Sequence, residues 1–220
     1  MKPVAVILSG SGRADGSEIH ESVCTLLALS RHSIPVKIFA PDIEQFRVIN
    51  HLNGRMTEEK RNVLIESARI ARGNISPLSD LRTEDVSAII LPGGLGAASN
   101  LCTYARDGIN FSVESTTEKI LSKAMKEKVP LGFICIAPVL GAKMAQSLGK
   151  NILLTIGDDP SMAEDIEALG CLHQISKVHE AVTDKENHIV STAAYMSAKN
   201  IAECYSGINK LVEAIIELIN

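Results

Sequence analysis

Four short runs of aliphatic and β-branched residues, VAVILS (4–9), VKIFA (36–40), VSAIILP (86–92) and PLGFI (130–134), constrain this chain most. Runs of that length with little polar alternation belong to strands covered on both faces. Helices between consecutive strands return the chain to start a parallel neighbour. The stretches between and after the runs show helical periodicity at 17–31, 57–72, 112–127 and 137–147. An α/β fold follows, a mainly parallel sheet with helices on both faces. Further along, NILLTIG (151–157) predicts a strand and DPSMAEDIEALG (159–170) an acid-capped helix. HEAVTD and HIVSTA predict strands joined in a hairpin at KEN, and 197–219 a closing helix apolar at Ile201, Ile208, Leu211, Ile215 and Leu218. Residues 42–56 and 74–82 show the least regularity. With no internal repeat, 220 residues suit one domain, 1–220.

Composition removes several function classes. Twenty-two basic against 26 acidic residues give a net charge of −4, so no basic surplus exists to neutralise a nucleic-acid backbone. The densest basic stretch, EEKRNVLIESARIARG, is interleaved with acids and predicts a solvated helix face. Aromatics are only 3% of the chain, with no Trp, which leaves little to stack bases on. No apolar run approaches the roughly 20 residues of a membrane span. Five cysteines (24, 102, 135, 171, 204), odd in number and without a C-x-x-C pair, indicate a reducing compartment. The chain enters a strand at once, with no room for a leader, so a cytoplasmic location is expected.

In parallel sheets, ligands bind outside the carboxyl ends of the strands, here the loops after residues 9, 40, 92 and 134. The first, SGSGRADGSEIHE, carries Gly10, Gly12 and Gly16 between a strand and a helix, with Asp42 after the second strand. Dinucleotide binding is disfavoured, because Asp15 stands where the third glycine of that fingerprint belongs. Glu18 and Glu21 would also compete with a pyrophosphate for the helix N-terminus. Capping by Asp15, Ser17 or Glu18 is the simpler account of the acids there. Glu21, one turn further in, is less well explained by capping and is a candidate functional carboxyl. The second loop, ILPGGLGAASNL, has Gly93, Gly94 and Gly96 directly after a strand, where free N–H groups can form an anion nest or simply a tight turn. In the third, FICIAP, Cys135 ends a strand just before a helix opened by Pro138. Two readings stand for it: a small core hydrophobe, or a nucleophile whose pKa the helix dipole lowers. Cys171, His173 and His179 match no strong metal pattern, so no metal is expected. His20 and His51 are the histidines near the candidate loops.

Together VILSGSG, DGSEIHE, FAPD, VINHLNG, RNVLIESARIARG, LPGGLGAASNL, PLGFICIAP, LTIGDD and NIAECYSGINKLV resemble the ThiJ/PfpI superfamily, which shares its fold with class I glutamine amidotransferases. Within it they resemble the enhancing-lycopene-biosynthesis branch, also called isoprenoid biosynthesis glyoxalase, over residues 6 to about 212. The resemblance implies a flavodoxin-like three-layer sandwich with Cys135 as nucleophile on an elbow. It makes Glu21 the carboxyl that bonds the thiol, and Gly94 and Ile136 the oxyanion N–H donors. Glu18, His20 and His51 become candidate substrate-site neighbours. It further implies glyoxalase III-type activity on a small dicarbonyl such as glyoxal, without glutathione, metal or other cofactor, in a homodimer. The chain departs from hydrolytic relatives in placing Ile136 after the cysteine and Gly157 after LLTI, where relatives carry His. A Cys-His triad, and with it peptidase or glutaminase chemistry, is therefore not expected. The rival expectation is a non-catalytic, redox-responsive regulatory protein with an oxidisable Cys135.

Overall fold

A computed structural model describes residues 1–219. The chain begins β1 (Val4–Ile7), α1 (Ile19–Arg31) and β2 (Val36–Ala40), then a hairpin of β3 (Val48–Asn50) and β4 (Arg55–Thr57). It continues through α2 (Val63–Ile70), β5 (Ser76–Pro77), β6 (Ala88–Leu91), α3 (Leu95–Ser99), α4 (Tyr104–Asp107) and α5 (Ser115–Glu127). Next come β7 (Leu131–Ile134), α6 (Pro138–Ser147), β8 (Leu153–Leu154), α7 (Pro160–Ala168) and β9 (Leu172–His173). The hairpin β10 (Val182–Asp184) and β11 (Ile189–Thr192) precedes α8 (Ile201–Ile219).

Seven strands form the main sheet in the order β10-β11-β7-β6-β1-β2-β5. Every neighbouring pair is parallel except β10 with β11. β1, β6, β7 and β11 are buried along their whole length, which is why their sequences are unbroken apolar runs. β7 shows the two covered faces directly. A side chain at Gly132 would meet Leu211 of α8, whereas Phe133 lies against Gly141 of α6. α1 packs on α8 in one layer and α5 on α6 in the other, giving the flavodoxin-like three-layer α/β sandwich. From β1 the chain builds outward through β2 and β5, then returns to β6 and builds the other way. The strand order thus reverses between β1 and β6, and the crevice outside their carboxyl ends is where such sheets place a site.

The structure shortens several expected elements. The helix expected over 57–72 starts only at Val63, because Asn62 caps it by accepting the Ile65 N–H at 3.0 Å. Residues 55–57 pair with 48–50 instead, so the irregular 42–56 segment holds most of a hairpin. Of the strand expected at 151–157, only Leu153–Leu154 pair with a neighbour. Side chains take the other hydrogen bonds: Asp184 accepts from Leu153 N–H and Ser191 Oγ from Thr155 N–H. The closing helix starts at Ile201, with Asn200 accepting the Glu203 N–H at 3.0 Å.

Candidate active site

Cys135 is the residue on which β7 turns into α6. Its φ is +61°, a left-handed conformation that costs a non-glycine residue on the order of 1–3 kcal/mol. The turn is held from both sides: Cys135 N–H donates to Thr192 O of β11 and Ala137 N–H to Ile134 O, each at 3.0 Å. Pro138 then starts α6 without losing a needed donor. The side chain is left at the carboxyl edge, only 7% exposed.

α1 brings Glu21 to that edge. Its N-terminus is docked on the turn after β6, Glu18 N–H donating to Gly93 O at 2.9 Å. Glu18 caps the helix by accepting the Glu21 N–H at 2.7 Å. The Glu21 carboxyl is fully buried and held by backbone donors from two further turns. Its Oε2 accepts Gly93 N–H at 2.9 Å and its Oε1 accepts Tyr195 N–H at 3.2 Å. The carboxyl also hydrogen-bonds the Cys135 thiol, and the Gly94 and Ile136 N–H groups point at the sulfur. Only glycine fits at position 93, where a Cβ would lie 2.5 Å from Cys135 Cβ and 2.7 Å from Glu21 Oε2.

Burial pushes the Glu21 carboxyl up to about 8; the bond to Cys135 opposes this and the Glu18 charge adds to it. The Cys135 thiol is raised well above its ordinary value, first by burial and then by the Glu21 charge. This corrects the expectation of a dipole-lowered thiol. A helix end contributes typically 0.3–1 kcal/mol, while taking a charge out of water costs several. At neutral pH, however, Glu21 is mostly protonated, so its repulsion of a thiolate is gone and its O–H can donate to sulfur. The carboxyl and the thiol then each hold a proton, with two N–H groups left to stabilise negative charge as it develops.

The other expected neighbours divide. His20 Nδ1 lies 2.8 Å from the hydroxyl of Tyr195, the residue whose N–H holds Glu21. His51 is committed elsewhere: Nδ1–H donates to Ile49 O at 2.9 Å and Nε2 accepts Ala14 N–H at 3.3 Å. Asp15 accepts Ile49 N–H at 2.7 Å, so both residues tie the β3–β4 hairpin to the first loop. That loop spends its own donors internally. Ser9 and Gly10 N–H bond the hydroxyls of Ser17 and Ser67, and Gly12, Asp15 and Gly16 N–H bond backbone carbonyls of the loop itself, so most of its donors are spent. Tyr195 is the residue the sequence reading missed. It acts through its backbone, from a turn in which Ala194 has φ +42°, and TAAYM carries no signature of that. At Gly157, φ +98°, a side chain would be strained and its Cβ would displace the Ser197 hydroxyl at 2.7 Å. Among the described residues no group of three or more His, Cys, Asp or Glu side chains is placed to hold a metal. The remaining cysteines are buried; Cys102 donates to Ala97 O, and its thiol is pushed up to about 12 by burial.

A mainly parallel three-layer sheet carrying a cysteine on a left-handed turn beside a buried first-helix carboxyl is the fold of the DJ-1/ThiJ/PfpI proteins. The fold of Drosophila melanogaster DJ-1beta matches it over 99% of this chain and 96% of that one, with a TM-score of 0.55 at 18% identity. No protein-family model matches the chain. The chain is 42% identical to the Homo sapiens glutamine amidotransferase-like class 1 domain-containing protein 3, mitochondrial, over 98% of its own length and 82% of the relative's. It is likewise 42% identical to the Rattus norvegicus ES1 protein homolog, mitochondrial, over 98% and 83%. A crystal structure of an isoprenoid biosynthesis protein with an amidotransferase-like domain from Ehrlichia chaffeensis superposes over the whole of both chains, TM-score 0.94, at 31% identity. The chain belongs to this glutamine amidotransferase-like class 1 (ES1) family, on the fold of the DJ-1/ThiJ/PfpI proteins.

One expectation is overturned by these relatives. The Rattus, Homo and Danio rerio proteins are all named mitochondrial, which contradicts the cytoplasmic location. Unpaired cysteines register redox poise, and that chemistry does not distinguish one reducing compartment from another.

Proposed function

We propose that this chain is a cysteine-dependent glyoxalase III-type enzyme that converts glyoxal and water to glycolate without glutathione or metal. The observation that carries the reading is the Cys135–Glu21 pair, largely shielded from water, with the Gly94 and Ile136 N–H groups aimed at the sulfur. In the fraction of molecules with Glu21 ionised, the thiol proton passes to Glu21 as sulfur adds to one aldehyde carbon, forming a hemithioacetal. The two N–H groups shift from sulfur to the new oxyanion, where one such donor is worth about 3 kcal/mol of barrier. Hydrogen then moves from the sulfur-bearing carbon to its neighbour, oxidising the first and reducing the second, to give a glycolyl thioester. Water cleaves the thioester and restores the thiol. A link to isoprenoid biosynthesis, carried by the name of the Ehrlichia protein, belongs to the same reading. The test is glyoxal consumption matched to glycolate formation, lost in Cys135→Ala.

A second reading is a redox-responsive regulator. It is favoured by the protonated Glu21, whose O–H can donate to an oxygen on sulfur. Two equivalents of hydrogen peroxide would take the thiol to sulfinic acid with release of two waters. Absence of dicarbonyl turnover together with ready oxidation of Cys135 would favour it over the enzyme.

The proposal includes a homodimer through α1. Ile19, Val23 and Leu27 expose an apolar stripe at i, i+4, i+8 spacing, each 44–47% exposed. Ile19 and Leu27 are equidistant from Val23, so an antiparallel second copy of α1 matches the stripe to itself. Sedimentation of the wild type as a monomer would overturn this part.

A further inference from the structure

The isomerisation at the centre of the proposed reaction needs a group that Cys135 and Glu21 do not supply. Glu21 has no exposed surface, and its carboxyl oxygens face only Gly93 N–H, Tyr195 N–H and the thiol. It can exchange a proton with sulfur and has no path to a carbon beyond it. Moving hydrogen between two substrate carbons as a proton requires an acceptor and a donor open to the site.

The histidines near the carboxyl edge are separable on geometry. In His51, Nδ1 must carry the proton to donate to Ile49 O, and Nε2 is occupied by Ala14 N–H. His20 engages only Nδ1, with the Tyr195 hydroxyl at 2.8 Å, and its Nε2 has no hydrogen bond among the described residues. The two rings lie 5.8 Å apart at 45°. Both residues are built into the wall that holds the carboxyl. His20 precedes Glu21 in the first turn of α1, and Tyr195 donates its own N–H to Glu21 Oε1.

We infer that His20 and Tyr195 are the proton relay of the site, Tyr195 being the member no sequence motif indicates. The inference rests on the glyoxalase reading and names the groups that perform its central step. With Nδ1–H donating to the tyrosine oxygen, Nε2 is a free base and the phenol O–H a free donor. Nε2 takes the proton from the sulfur-bearing carbon while Nδ1–H passes to the phenol oxygen. The phenol proton passes to the neighbouring aldehyde oxygen, giving an enediol. In the reverse sense Nε2–H returns a proton to the second carbon, the tyrosine takes the proton of the first carbon's hydroxyl, and the glycolyl thioester forms. No proton or electron is gained or lost, so no oxidant or reductant is involved. Burial holds the tyrosine above its ordinary range, which keeps the phenol a donor.

The test runs glyoxal turnover in D2O for the wild type, His20→Gln and Tyr195→Phe, alongside the rate at which iodoacetamide alkylates Cys135. A relay through Nε2 predicts solvent deuterium in the glycolate methylene of the wild type to the extent that Nε2–H exchanges before it is returned. It requires kcat to fall by about 100-fold or more in His20→Gln and about 10-fold or more in Tyr195→Phe, KM being little changed. Alkylation should stay within about twofold, because neither variant removes the backbone donor to Glu21. Turnover unaltered in both variants overturns the relay and leaves the glyoxalase reading standing. Kcat and alkylation falling together reduces Tyr195 and His20 to structural supports and also overturns it. A wild type that turns over no dicarbonyl at all overturns both.

Discussion

Two glycine-rich turns leave the same edge of the sheet, after β1 and after β6, and they do opposite things with their N–H groups. The β1 turn, Gly10 to Ser17, is tied down by its own carbonyls and by its neighbours. Its donors go to Ser17, Ser67 and His51, and the Asn100 amide caps the carbonyls of Ser9 and Asp15 at 2.8 and 2.9 Å. The β6 turn sends its N–H groups outward, Gly93 to the Glu21 carboxyl and Gly94 to the Cys135 sulfur. Both look alike as glycine counts. The difference shows that a cradle for negative charge is identified by where its donors end, because a donor already paired inside its own loop contributes rigidity and nothing to a ligand.

Four measurements can break or sharpen that contrast. Cys135→Ala removes the group at which the β6 turn is aimed, and dicarbonyl turnover should fall to background while the fold persists by circular dichroism. Gly93→Ala should lower turnover by about 100-fold or more, since a Cβ 2.5 Å from Cys135 Cβ must displace the nucleophile. An equally active alanine variant would show that the turn does not position the thiol. Glu21→Gln should slow turnover by about 10- to 100-fold and flatten the pH dependence of stability. The Glu21 carboxyl, raised to about 8 when folded, stabilises the fold fully below its unfolded pKa near 4.5; that contribution is lost as pH rises toward and through 8. Urea midpoints at pH 5 and pH 8 should therefore differ more in the wild type than in Glu21→Gln, by a few kcal/mol at most. His51→Ala is the smallest: about 1 kcal/mol of stability, with turnover within about twofold. A large loss of turnover there would place the β1 turn in the site after all.

Much of this architecture is legible in residue order. Unbroken apolar runs announce strands covered on both faces, and FICIAP announces a thiol at a strand end, because proline fits the first turn of α6 and nowhere deeper. Glu21 is legible only through GSEIHE as a whole. Alone, a carboxylate in a first helical turn is indistinguishable from a cap, which is what Glu18 proves to be. The β3–β4 hairpin was illegible because its three-residue strands are mostly exposed and carry no alternation. Tyr195 was illegible because its hold on Glu21 is a backbone N–H, which every residue but proline possesses.

By itself the sequence determined the class of fold, the edge of the sheet where chemistry would occur and the thiol at its centre. Hydrophobic periodicity and turn chemistry are local properties, and they are written in residue order. Only the tertiary structure decided the electrostatics and the company of that thiol. It buried Glu21 until its carboxyl holds a proton at neutral pH, tied His51 to a clamp and left His20 facing Tyr195, 175 residues away in the chain. Those outcomes depend on which surfaces lose water and which turns meet across the sheet, and no single stretch of the chain encodes them.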